Sequence, residues 1–279
     1  VRYSVEAGPI LIRMLHSAQI EGAFCLMPIL FERFIMNSPF KACALAAAIA
    51  FTSAPLVADD AADTDAKSPW SGTTDINALI TSGNSSQTSF GIGGKLIYAE
   101  GPVKHTVTGF ADFNRSNGLS DRERYGAAYN LAYSLSERTF FSGDASYESN
   151  KFGAFRERIA VAAGIGYHIF DDEKLKLTVE AAPSVIFSKN FEGADYESDF
   201  SAFVRTTTEF QISETTKFSN VASAYFGGRT IFENKAALQF KIIKSLSSKI
   251  SFDVLYDQDA PAGRAATDTI ARVGVSYGF

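Results

Sequence analysis

The chain has 279 residues, of which 46% are hydrophobic and 20% charged, and its net charge is -5. Those proportions exclude wholesale disorder and a bundle of transmembrane helices. The acidic balance argues against nucleic acid as a partner, because phosphate binding needs a basic face.

The front of the chain differs in composition from the rest. All three methionines (Met14, Met27, Met36) and both cysteines (Cys25, Cys43) lie before position 45. From Met36 the order is a short segment carrying Lys41, an uncharged Ala-rich run, and a small-x-small ending at Leu56–Val57–Ala58 after Pro55. That order predicts a secretory signal peptide over 36–58, cleaved after Ala58. As a membrane anchor, 42–58 is at the short limit for crossing a bilayer, and Ala is a weak membrane residue. Residues 1–35 place Glu21, Glu32 and Arg33 ahead of that signal. The expectation is therefore an upstream extension, with translation starting at Met36. Residues 59–69 are acidic and small and carry Pro69, so they read as a disordered periplasmic tether. Beyond Ala58 there is no cysteine, hence no disulfide and no thiolate chemistry.

From Trp70 to Phe279 the hydropathy alternates with period two and no stretch keeps a helical period. Ile159, Val161, Ala163, Ile165, Tyr167 and Ile169 fall on one face, opposite Arg158, Ala160, Ala162, Gly164, Gly166 and His168. The alternation predicts twelve strands, near 70–81, 88–98, 104–116, 122–135, 139–149, 157–170, 174–188, 198–213, 217–226, 231–246, 249–258 and 268–279. The 217–226 run is the least regular, since Asn220 falls on its apolar face. Connections after even strands are short (AEGPV, SER, DDEK, SETT, LSSK). Those after odd strands are mostly longer and rich in Gly and polar residues (RSNGLSD, SNKFGAF, NFEGADYE, GGRTI, DAPAGRAATD).

A soluble sandwich and a membrane barrel both use many alternating strands. Three features favour the barrel. Most runs are long enough to cross a bilayer at a tilt. The minority face is small and polar, which suits a wet lumen better than a dry core. Tyr98, Tyr167, Phe187, Tyr256, Tyr277 and Phe279 recur near strand ends, where aromatic rings favour the headgroup level. The predicted fold is all-β: a closed antiparallel up-and-down transmembrane barrel of about twelve strands over 70–279.

At the terminus, Arg272, Gly274, Tyr277 and Phe279 match the polar-x-Gly-x-x-aromatic-x-Phe ending of bacterial outer-membrane barrels. That resemblance implies recognition by the barrel-assembly machinery. Ordered motifs make a narrower likeness: W-S-G at 70–72, T-S-G-N-S at 81–85, Y-A-E-G-P at 98–102, E-R-Y at 123–125 and L-S-E-R at 135–138, then Y-E at 147–148, G-I-G-Y at 164–167, T-D-T at 267–269 and the S-Y-G-F ending. Together they resemble the salt-induced outer membrane protein family, which carries no established activity. The resemblance implies the fold and an outer-membrane location; the expected role is envelope adaptation or small-solute passage. It supplies no catalytic residue. The alternatives are a structural or interaction barrel with a plugged lumen and a lipid-modifying enzyme.

For an enzyme, His105 and His168 are the only histidines after Ala58. They fall at the expected periplasmic rim, away from the outer leaflet, and no G-x-S-x-G is present. The expectation is a non-enzyme. Asp121, Glu192, Asp195, Glu197, Asp257 and Asp259 sit in the outer loops without calcium-loop spacing, so solvated carboxylates are expected there and no metal or cofactor. Alternation sends Asp75, Lys95, Asp112, Asp144, Arg158, Glu180, Arg205, Glu209, Lys241, Asp253 and Arg272 inward. Their mixed signs fit either a narrow wet pathway or a salt-bridged plug. Expected surroundings are outer-membrane lipid and lipopolysaccharide, with the chain a monomer.

Overall fold

The computed structural model describes residues 68–81, 87–191 and 195–279. The start-site and signal-peptide readings, and the tether up to residue 67, lie outside the described residues. Ser68 and Pro69 already belong to the sheet margin: Ala99 donates its backbone N–H to Pro69 O at 2.9 Å.

Alternating residues form twelve strands among the described residues: β1 (Trp70–Thr81), β2 (Gln87–Glu100), β3 (Val103–Ser116), β4 (Leu119–Ser134), β5 (Thr139–Asn150), β6 (Glu157–Asp171), β7 (Leu175–Lys189), β8 (Glu197–Gln211), β9 (Thr216–Gly227), β10 (Ile231–Lys241), β11 (Leu246–Asp257) and β12 (Thr267–Gly278). Each pairs antiparallel with its neighbour, and β1 pairs β12 from Thr73↔Gly278 to Asn77↔Gly274, closing the barrel. Closure leaves no sheet edge, the condition for a sheet to stand in lipid.

The two ends of the barrel differ. At one, the turn end, lie the short connections after even strands, together with Trp70 and Phe279. At the other, the loop end, lie most of the longer ones. The β3–β4 connection departs from the expected seven-residue loop. It is a two-residue turn, Asn117 and Gly118, both at positive φ (51° and 82°). Asn-Gly suits that left-handed pair, and its twist matches that of the flanking strands. Asp121 is the extra residue where the β3–β4 register shifts, and Asn114 and Ser116 donate to its carboxylate.

Strand β10 also ends earlier than the hydropathy suggests. The turn is Ile242–Ser245, not Leu246–Lys249. The pairing of Ser247 with Ser276 and Lys249 with Gly274 holds the latter segment in β11, leaving Ile242 and Ile243 exposed at the turn end. In β7, Pro183 interrupts the ladder to β6 between Ala162↔Ser184 and Ile165↔Ala181, because proline offers no N–H there.

The outward face carries the large apolar residues. Val107, Val161, Ile165, Ile250, Phe252, Val273 and Val275 are all exposed. Charged outward residues, such as Glu100, Arg115, Glu157 and Lys189, are confined to strand ends. Asn220 is the misfit of this face. Its neighbour Asn234 accepts its side-chain N–H through Oδ1 at 3.1 Å, so one donor and one acceptor are paired away from water. Near the turn end, Trp70, Tyr98, His105 and Tyr129 form an outward row with ring centroids 4.7, 6.0 and 6.0 Å apart.

Candidate functional site: a tiered barrel interior

The inward face is mostly Gly, Ala, Ser, Thr and paired charges, with an apolar minority that includes Phe140, Ile186, Phe203 and Leu255. Those charges fall into three tiers along the barrel.

The middle tier has two arginine clamps. Arg272 on β12 donates to Asp112 on β3 through Nε (3.0 Å) and Nη2 (2.6 Å), and to Asp253 on β11 through Nη1 (2.7 Å). Arg205 on β8 grips Glu180 on β7 through Nε (2.9 Å) and Nη2 (2.6 Å), and reaches Asp144 on β5 through Nη1 (2.7 Å). Ser142 adds a hydrogen bond to Glu180 at 2.5 Å. Each arginine therefore meets two carboxylates, and these fork-shaped contacts are the strong kind of ion pair.

At the loop end the interior is filled. Arg158 on β6 pairs with Asp257 at the end of β11, five strands away around the twelve-strand ring, so the contact crosses the bore. Arg229 donates to the same carboxylate through Nε (2.8 Å) and Nη2 (3.0 Å). All three side chains are buried, Asp257 completely. The segment 151–156 folds into this region. Phe155 is fully buried with Ile186, Ile231 and Leu255, and the Arg158 guanidinium lies 3.7 Å over its ring. Arg264, from the β11–β12 connection, clamps the segment by donating to Gly153 O at 2.9 Å and stacks 3.5 Å over Phe191. Arg124 and Glu148 make a further bidentate pair (2.6 and 2.9 Å) beside this plug. A cavity of about 100 Å³ remains, lined in part by Arg122, Arg124, Glu233, Lys235 and Asp268. Outside the strands, Tyr196 donates to Glu157 at 2.5 Å, and that bond raises its phenol above the usual value.

The turn end holds lysines. Lys249 meets Asp75 at 2.5 Å and Lys217 meets Glu209 at 2.7 Å. Lys95 and Lys104 are exposed and make no ion pair among the described residues.

Of the expected inward residues, Asp112, Asp253 and Arg272 come together, as do Asp144, Glu180 and Arg205, whereas Asp75, Lys95 and Glu209 belong to the turn-end group. Lys241 ends β10 at the exposed rim and Arg158 joins the plug. Asp257 corrects the solvated-carboxylate expectation: it is fully buried between two arginines, while Glu192 lies outside the described residues. Sequence reasoning missed Arg229, Phe155 and Arg264, which sit in connections where alternation is silent. It also missed Arg124, Glu148 and Lys249, which alternation could have found. His105 Nδ1 lies 2.7 Å from the Tyr129 hydroxyl on the outer face. His168 lies inside, 3.0 Å from the Thr178 hydroxyl and against the Phe140 ring. In the terminal motif, Arg272 and Gly274 face inward, while Tyr277 and Phe279 face outward.

A closed twelve-strand up-and-down barrel, apolar outside and charged within, is a β-barrel of the outer-membrane type. The chain belongs to the family described as a protein of unknown function, DUF481, whose model matches residues 74–279. It is similar to the uncharacterized protein YdiY of Escherichia coli (strain K12), 23% identical over 235 residues, or 82% of this chain and 92% of that protein. Among solved structures it is similar to the NanC porin, with 13% identity and a TM-score of 0.45 over 74% of this chain and 98% of that one. It is also similar to an outer membrane channel from Pseudomonas putida F1, with 11% identity and a TM-score of 0.44 over 79% and 99%.

Proposed function

We propose that the protein is exported to the outer membrane, stands there as a monomer with its turn end in the periplasm, and serves as a gated path for small solutes that is shut at its loop end in this conformation. One observation carries the reading: the closure is made by a connecting segment folded inward onto strand side chains and by one ion cluster that crosses the bore. Nε and Nη1 of Arg158 have no acceptor among the described residues, and its guanidinium packs on the Phe155 ring. Alternating tiers of both signs argue against strong anion or cation preference. The surroundings are then outer-membrane lipid and lipopolysaccharide, and Tyr277 and Phe279 offer an assembly signal. The resemblance to the salt-induced family supports a role in envelope adaptation.

Planar-bilayer recording tests this. The wild type should conduct rarely, and replacing residues 152–155 by Gly-Ser should give stable open steps. If neither protein conducts, the passage reading fails and a structural barrel with a closed lumen takes its place.

A further inference from the structure

The turn-end chamber plays no part in the closure, and its charge is unbalanced. Lys95 on β2 has Glu209 on β8 within electrostatic reach, and after it Lys104, Lys217 and Lys249 from β3, β9 and β11. β2 and β9 are five strands apart around the ring, so their lysines face one another across the bore. Four ammonium groups thus share the inner face of this end with two carboxylates, Asp75 and Glu209. Those two pair directly with Lys249 and Lys217, leaving Lys95 and Lys104 with no ion pair of their own among the described residues and only the shared reach of Glu209. In the next tier outward the balance reverses. There Arg205 and Arg272 each face two carboxylates. A concave wall of one sign focuses the field and concentrates counter-ions.

We infer that the turn-end chamber is a binding site for a multivalent oxyanion, a phosphate or carboxylate compound that enters from the turn end and is held between Lys95 and Lys104. Lys217 and Lys249 can contribute because each is a flexible ammonium held by a single carboxylate. The acidic tier above repels the anion, so it is retained in the chamber and not passed outward. Nothing in this requires the loop end to open, and the site stands whether or not the barrel conducts.

The test uses the purified full barrel in non-ionic detergent at low ionic strength, titrated calorimetrically with inorganic pyrophosphate and separately with citrate. At least one should bind saturably and weaken as salt is raised, as screening requires. Which of the two binds better separates a phosphate from a carboxylate ligand. The Lys95→Gln/Lys104→Gln variant should bind at least tenfold more weakly, while Lys151→Gln at the loop end should leave affinity unchanged. A second readout needs no variant: bound anion should slow acylation of Lys95 by a water-soluble amine reagent, followed by mass spectrometry. No saturable binding of either anion, unprotected Lys95, or undiminished affinity in the double variant would overturn the assignment.

Discussion

Gly72 and Phe279 close the barrel by exchanging both backbone hydrogen bonds, Gly72 N–H to Phe279 O and Phe279 N–H to Gly72 O, each at 3.0 Å. The terminal ring lies over the glycine so closely that a Cβ there would stand 2.5 Å from the ring and 2.9 Å from Lys95 O. W-S-G and S-Y-G-F, at opposite ends of the strand sequence, are thus two halves of one seam. Gly72→Ala should displace the ring and slow closure, and deleting Phe279 should remove the seam bonds and depress the folded yield. Heat-modifiable gel mobility reads both. Because the tightest part of the clash is with the ring, Gly72→Ala combined with Phe279→Ala should cost less than the two changes summed, the Lys95 O contact remaining. Strict additivity would show that the two residues do not act on each other.

The Arg158–Asp257–Arg229 cluster makes an asymmetric prediction. Asp257→Ala leaves two buried guanidinium groups without their shared anion, a loss of about 3–5 kcal/mol unless the plug opens. Arg158→Leu leaves Asp257 still held by both Arg229 bonds and removes the donors that lack partners, so its effect should be small. Thermal unfolding of the barrel and proteolysis within 151–156 distinguish the two variants. Equal damage from both would mean that Asp257 is not the keystone of the plug.

Alternation was a sound guide wherever a strand has one face in lipid, since a one-residue slip would turn every charge outward. It therefore found the twelve strands and put the residues of the two middle clamps on one face, without pairing them. It could not find the plug, because Arg229, Phe155 and Arg264 lie in connections whose path is set by tertiary contacts. Lys249 was lost for a different reason. The hydropathy of Ile242 and Ile243 extended β10 too far and shifted the following turn onto Leu246–Lys249. Counting back by twos from Asp253 would have recovered it.

Asn220 looked like a break in the pattern and is half of a pair. Asn220→Ala should strand the Asn234 amide on the lipid-facing surface and cost about 1–3 kcal/mol, the penalty for a desolvated polar group without a partner. Changing both to Ala should recover most of that loss, because no orphan is left. Refolding titrations in urea check the order of stabilities. A double variant weaker than either single one would sink the pairing account.

Arg205 gives the most direct test of the tiers. It holds Glu180 with two bonds and Asp144 with one, so removing it leaves two carboxylates facing each other in the bore. Lysine at this place offers one compact ammonium where a planar fork is needed to grip both partners. The expected order of thermal stability is wild type, then Arg205→Lys, then Arg205→Ala. Adding Glu180→Gln to Arg205→Ala should restore part of the loss by removing one of the two like charges. Orientation is checked separately by labelling Arg205→Cys with water-soluble and lipid-soluble thiol reagents. An inward side chain reacts with the first. An outward arginine near mid-bilayer would cost about 2–4 kcal/mol, which is why the alternative register is disfavoured. Reaction with the lipid-soluble reagent alone would place residue 205 on the outer face and dissolve the middle tier.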